Sequence, residues 1–169
     1  GDIYAQKALK IEPDDTTGSL FIKLAILGRD LLLETLPKII DGSVRKIPQD
    51  PDKVVFSPNI SKKQEKITLS MTATEANNLI RALNPDPGAY LMVDGKRLKV
   101  WKAKVSKDQT KLEAGSLVSN KNRFAISFAN HTILDLLELQ PAGKKRMTVK
   151  NFLNGQGSKF KPEEKIIDD

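Results

Sequence analysis

Residues 75–105 read EANNLIRALNPDPGAYLMVDGKRLKVWKAKV, and in this stretch helix, breaker, turn and strand signals follow one another without a gap. Ala76, Leu79, Ile80 and Leu83 recur at helical spacing after a capping Thr72 or Thr74. Glu75 stands early, where the positive end of a helix dipole favours a carboxylate. Proline disfavours an α conformation at the residue before it, so Asn84-Pro85-Asp86-Pro87-Gly88 reads as a rigid elbow that ends the helix and feeds Ala89-Tyr90-Leu91-Met92-Val93 as a strand. Asp94-Gly95 is a two-residue hairpin signal, and Leu98, Val100, Ala103 and Val105 are the apolar positions of the returning strand. Their alternation changes phase near Val100-Trp101, which predicts a β-bulge there.

Downstream, residues 106–114 read as a polar loop, and residues 115–118, 123–128 and 132–139 as further strands joined by Asn-rich turns. Five or so short strands at intervals near ten residues, with one helix, predict a mainly β domain with some α. A small antiparallel barrel of the oligonucleotide-binding (OB-like) kind fits this spacing, and a sandwich is the alternative. The basic loop Gly143-Lys144-Lys145-Arg146 then leads into residues 148–153, one short helix, and a polar tail.

Upstream, residues 2–11 alternate roughly as a strand, residues 12–17 form a polar turn, and Leu20, Leu24, Leu27, Leu31, Leu36 and Ile40 recur as an amphipathic helix closed by Gly42. Gly28 is where that helix is open to breaking in two. Nothing in the first 50 residues offers a surface for its apolar face, so residues 1–44 read as the tail of a larger α/β domain. Pro48, Pro51 and Pro58 punctuate a polar stretch, giving a linker over 45–69 and a second domain over 70–169.

The net charge of +7 is unevenly spread: residues 1–50 carry 7 Lys/Arg against 8 Asp/Glu, and residues 51–169 carry 21 against 13. The basic excess belongs to the later part and favours polyanionic partners. The chain has no cysteine, which excludes disulfides, thiolate metal sites and cysteine nucleophiles. No apolar run approaches the roughly 20 residues that span a bilayer, and a soluble, cytoplasmic protein without membrane contact is expected. His131 is the single histidine and reads as a turn residue, so a histidine-built metal site is excluded. Ser127, His131 and Asp135 lack the strand-turn-helix context of a nucleophile elbow.

The elbow and hairpin also carry a resemblance. The run from Asn78 to Pro85, followed by Pro87-Gly88-Ala89 and Asp94-Gly95, resembles the opening of the C-terminal domain of methionyl-tRNA formyltransferases. Leu139-Gln140-Pro141-Ala142-Gly143-Lys144-Lys145-Arg146-Met147 with Asn151-Phe152-Leu153 resembles that family's late "LQPxGKKxM…xFL" signature, and Gly1-Asp2-Ile3 the end of its "LDxGD" motif. The resemblance implies an enzyme of translation initiation that moves a formyl group from 10-formyltetrahydrofolate to the amino group of methionyl-initiator-tRNA and acts as a monomer. It makes residues 1–44 a strand-helix remnant of a Rossmann-like catalytic domain. Asp2 matches the motif's second acid, and the family's catalytic Asn, His and Asp and its folate-site loop have no counterpart here. No catalytic, cofactor-binding or metal-binding residue is therefore expected in this chain, which is expected to be inactive by itself.

What the chain is expected to do is hold the tRNA. Lys62, Lys63 and Lys66 in the linker, Arg81 on the helix, and Lys144, Lys145, Arg146 and Lys150 in the late loop and helix are the candidate phosphate contacts. For Arg81 a structural role stands beside this one, fixing the elbow through carbonyls near Asn84 and Pro85. Two other functions stay open: the equivalent domain of a formyltetrahydrofolate dehydrogenase or sugar-amine formyltransferase, and a stand-alone basic nucleic-acid-binding module.

Overall fold

The computed structural model describes residues 1–168, which fold as two units, residues 1–59 and residues from Ile60 onward. Asp169, the last residue of the expected second domain, lies outside the described residues.

The first unit is built on helix α1, Thr17–Ile40. Its start is fixed by a capping box: Thr16 Oγ1 accepts the Ser19 N–H at 3.2 Å, and Ser19 Oγ accepts the Thr16 N–H at 3.0 Å. Beside this cap the buried Asp15 carboxylate receives Lys23 Nζ at 2.6 Å, Ser19 Oγ at 2.7 Å and the Glu12 N–H at 2.9 Å. These bonds, Lys23 first, hold its pKa far below the usual carboxylate range. A depressed pKa contributes stability above the ordinary value of about 3.9 and loses it as pH falls toward the folded value. Asp15→Asn is therefore expected to melt α1 earlier than the parent at pH 6, with the difference closing as pH drops through 4 towards 2. Circular dichroism melts at a series of pH values check this, and a constant difference across that range would rule it out.

Two expectations for this unit are corrected. Residues 2–11 do not form a strand: only Ile3 pairs, with Ile47, through N–H···O bonds of 2.8 Å in each direction. Alternation alone supplied no neighbouring strand. Helix α1 is also not broken at Gly28, where the backbone is helical and a side chain would meet nothing. Its apolar residues stay largely open among the described residues, with Phe21 70%, Ile22 66% and Ile40 78% exposed.

The second unit is a mixed α/β fold with a curled antiparallel sheet. Helix α2, Ala73–Ala82, opens with Thr72 and Glu75 bonding reciprocally, and its buried Ala73, Ala76 and Ile80 face the core. After the elbow, whose Asn84-Pro85 and Asp86-Pro87 bonds are both cis, come strands β1, Ala89–Val93, and β2, Lys96–Gln109. The hairpin between them turns at Asp94 and Gly95 with φ of +48° and +67°, the type I′ geometry that matches strand twist. Strands β3, Leu117–Ser119, β4, Phe124–Ser127, and β5, Thr132–Pro141, follow. Strand β6, Met147–Thr148, pairs with β5 and leads directly into helix α3, Val149–Leu153, and β7 is Ile167–Asp168.

The sheet order is β3-β4-β5-β2-β1-β7. Its ends approach one another, since the Leu117 N–H donates to Glu164 O at 2.8 Å and the Glu163 N–H to Leu117 O at 2.7 Å. Inside the curl lie the fully buried Leu91, Val100, Phe124, Ile126, Leu134, Leu136 and Leu139. The expected bulge is present: Val100 pairs with Leu139 and Lys102 with Glu138, leaving Trp101 as the extra residue.

The structure differs from expectation at three places in this unit. Residues 106–109 extend β2 instead of forming a loop, because β5 reaches back to pair Thr132 with Gln109 and the polar side chains lie on the solvent side. The segment read as a linker divides, and its end joins the second unit: Ile67 is 1% exposed, and its N–H donates to Tyr90 O at 2.8 Å. The polar tail is structural as well, burying Phe160, Ile166 and Ile167 and pairing β7 with β1.

Candidate nucleic-acid interface

The basic loop is a tight turn at the end of β5. The Lys144 N–H donates to Pro141 O at 3.0 Å and Gly143 takes φ +72°, the pattern of a type II turn with glycine at its third position. Lys144 and Lys145 are exposed on it, and Lys150 is exposed on α3. Among the described residues no carboxylate lies within 4.0 Å of Lys62, Lys63, Lys66, Lys144, Lys145 or Lys150. Their charge is left for solvent or a partner.

Several other lysines and arginines on the sheet face acids. On β2 Lys102 stands opposite Glu138 and Lys104 opposite Asp135, while Arg123 Nε lies 3.5 Å from Asp135. Burial raises the Asp135 pKa, with Arg123 opposing the shift. Arg146, expected beside the loop lysines as a phosphate contact, is also committed: its Nε donates to Glu138 Oε2 at 2.7 Å, and its guanidinium sits 5.3 Å from the centre of the Trp101 ring. These pairs separate a charge-balanced part of the sheet from a loop that carries net positive charge.

The structure brings the end of the linker lysines towards this loop. Lys66 bridges Tyr90, Tyr90 pairs with Lys99, and Lys99 pairs with Gln140, so four neighbouring strand positions form one row. Three strand spacings separate Lys66 from Gln140, roughly 14 Å. Lys62 and Lys63 lie exposed in the turn just before. Arg81 is half-buried on α2, and its Nη2 donates to Asn78 Oδ1 at 2.8 Å, one turn back along the helix. At the elbow Asn84 Nδ2 donates to Trp101 O at 2.7 Å and Lys99 Nζ to Pro87 O at 2.7 Å. Sequence reasoning missed Lys99, Trp101 and Gln140, although the phase change at the bulge marked where β2 turns its side chains.

His131 donates from Nδ1 to Thr110 O at 3.0 Å and is exposed, which is a loop-tying contact. A cavity of about 280 Å³ lies between the β1–β2 hairpin and the segment after α3, lined by Lys96, Arg97, Leu98, Phe152, Gln156 and Lys159. Among the described residues there is no cluster of three metal-type ligands, and no helix is long and apolar enough to cross a membrane.

A leading helix, a curled antiparallel sheet and a cationic turn at the end of β5 define a small mixed α/β module. Residues 59–157 match the family model described as "Formyl transferase, C-terminal domain", and the chain belongs to that family. It is 70% identical over 168 residues to the methionyl-tRNA formyltransferase of Lactobacillus acidophilus, covering 99% of this chain and 54% of that protein. It is 67% identical over 169 residues to that of Lactobacillus gasseri, again covering 54% of the relative. The chain thus spans about half the length of the curated relatives it matches. Among solved structures, a variant of HypX from Aquifex aeolicus superposes with a TM-score of 0.68 at 14% identity, over 96% of this chain and 30% of that one. The sugar 3N-formyl transferase WlaRD superposes with a TM-score of 0.58 at 21% identity, over 86% of this chain and 51% of that one. Both likenesses concern the fold.

Proposed function

We propose that this chain is the tRNA-holding part of a methionyl-tRNA formyltransferase, the enzyme that formylates methionyl-initiator-tRNA from 10-formyltetrahydrofolate in the cytoplasm. The names of its relatives at 70% and 67% identity support the enzyme. The observation that carries the holding role is the exposed Lys144-Lys145 turn, with no carboxylate within 4.0 Å of either lysine among the described residues, whereas Arg123 and Arg146 nearby are paired to Asp135 and Glu138. On this reading residues 1–44 are the Rossmann-like end of the catalytic domain, residues 45–59 a tether, and the unit from Ile60 onward an OB-like domain. The open face of α1 belongs against the rest of the catalytic domain, and the intact enzyme works as a monomer. The folate donor is held by other parts of that enzyme. Lys62, Lys63, Lys66, Lys144, Lys145 and Lys150 neutralise tRNA phosphates, which fixes the acceptor stem in place without reading its sequence.

Replacing both Lys144 and Lys145 with alanine is expected to weaken binding to many structured RNAs alike. The slope of log affinity against log salt should fall by about 1.4–1.8 in total, since each lost phosphate contact removes about 0.7–0.9. Arg81→Ala provides the contrast: it should lower the melting temperature and leave that slope unchanged. Binding that is insensitive to salt, or unaffected by losing both lysines, would return the module to the class of formyltransferase relatives that bind no tRNA.

A further inference from the structure

Two sequence motifs, the elbow 84–88 and the late run 139–147, lie far apart in the chain and meet at Trp101. On one side Asn84 Nδ2 holds the Trp101 carbonyl at 2.7 Å, and the indole lies so close over Gly88 that a Cβ there would be 2.6 Å from Cη2. On the other side the indole Nε1–H donates to Gln140 Oε1 at 3.1 Å, and Gln140 Nε2 donates to Lys144 O at 2.9 Å. Arg146 lies over the same ring and is held there by Glu138. Trp101 is the extra residue of the bulge and stands two places after Lys99, the residue paired with Gln140, so it lies on the same side of the sheet as Gln140.

We propose that Trp101 and Gln140 are positioning residues for the cationic turn, holding the backbone of Lys144 in one place so that Lys144 and Lys145 meet phosphate without first being ordered. This rests on the reading that those lysines contact tRNA. The physical requirement is plain: a turn at the tip of a strand, carrying two long side chains, loses freedom on binding, and pinning its backbone beforehand removes part of that cost. Each bond in the relay has one function here. Gln140 spends its oxygen on the indole and its amide on the turn, so neither end of the side chain is free to rotate.

Gln140→Met keeps the volume and removes both bonds, and Trp101→Phe keeps a ring under Arg146 but removes the indole donor. In both variants, hydrogen exchange of the free protein is expected to quicken at the amides of residues 143–146. The tRNA dissociation constant should rise about 3- to 10-fold while the salt slope stays as in the parent, because the same contacts form at a greater ordering cost. In a Lys144→Ala, Lys145→Ala background, Gln140→Met should change affinity no further. A tRNA effect of the lysine pair with none from Gln140→Met, or an equal effect of Gln140→Met in the lysine-free background, overturns this proposal alone. Absence of any effect from the lysine pair overturns the phosphate-contact reading and this proposal with it.

Discussion

Truncating Phe124 to alanine is expected to lower the stability of the second unit by about 3–5 kcal/mol, the usual cost of removing a fully buried aromatic ring. Phe124 has no exposed surface, meets Phe152 edge-on at a centroid distance of 5.2 Å and Phe160 at 6.1 Å. It therefore joins β4 to α3 and to the segment beyond it, which no hydrogen-bonded ladder does. Domains of this size are typically stable by about 5–15 kcal/mol, so the loss is a large fraction of the whole. Denaturant titration measures it. A shift below about 1 kcal/mol would mean that α3 and the following segment pack independently of the sheet.

Gly88→Ala is the second large effect, at about 2–5 kcal/mol. The residue has φ +83°, which costs a side-chain-bearing residue roughly 1–2 kcal/mol. Its new Cβ would also fall 2.6 Å from the Trp101 ring, and overpacking of that kind costs about 1–3 kcal/mol more. Gly95→Ala is the control, with a positive φ of +67° and nothing within 4 Å, so only the backbone part applies. Trp101 is the sole tryptophan, and its fluorescence should shift in the Gly88 variant and stay put in the Gly95 variant. Equal midpoints for the two would show that the ring moves aside at no cost.

Local signals carried most of the second unit into view. The cap of α2, at Thr72 of the two threonines offered, the hairpin at Asp94-Gly95 and the bulge at Trp101 each depend on residues within a few positions, and each occurs where the pattern put it. What stayed hidden depends on distant partners. Phe160, Ile166 and Ile167 are sparse apolar residues with no period, and only their place against β1, β3 and Phe124 buries them. Residues 106–109 read as loop because polar side chains mark a solvent-facing strand and a loop alike. At the candidate site the lysines of residues 144–145 were legible from charge, whereas the relay through Gln140 was not, since contact between Trp101 and Gln140 follows from the pairing of β2 with β5. The ion pair of Arg146 was hidden for the same reason: its acid, Glu138, is brought near by the pairing of β6 with β5.

The pairing of β7 with β1 sets the tempo of folding. Val93 can meet Ile167 only after nearly all the intervening chain has been brought round, and closing so long a loop costs on the order of 4 kcal/mol of chain entropy before any ladder bond repays it. Helix α2 and the β1–β2 hairpin, by contrast, are local and form on the microsecond scale. The second unit should therefore assemble early around the hairpin and wait, over milliseconds or longer, for its final strand. During that wait β1 has a bare edge that another molecule's strand can occupy. Yield on refolding should then fall with protein concentration, and an added peptide spanning residues 160–168 should restore it by occupying that edge.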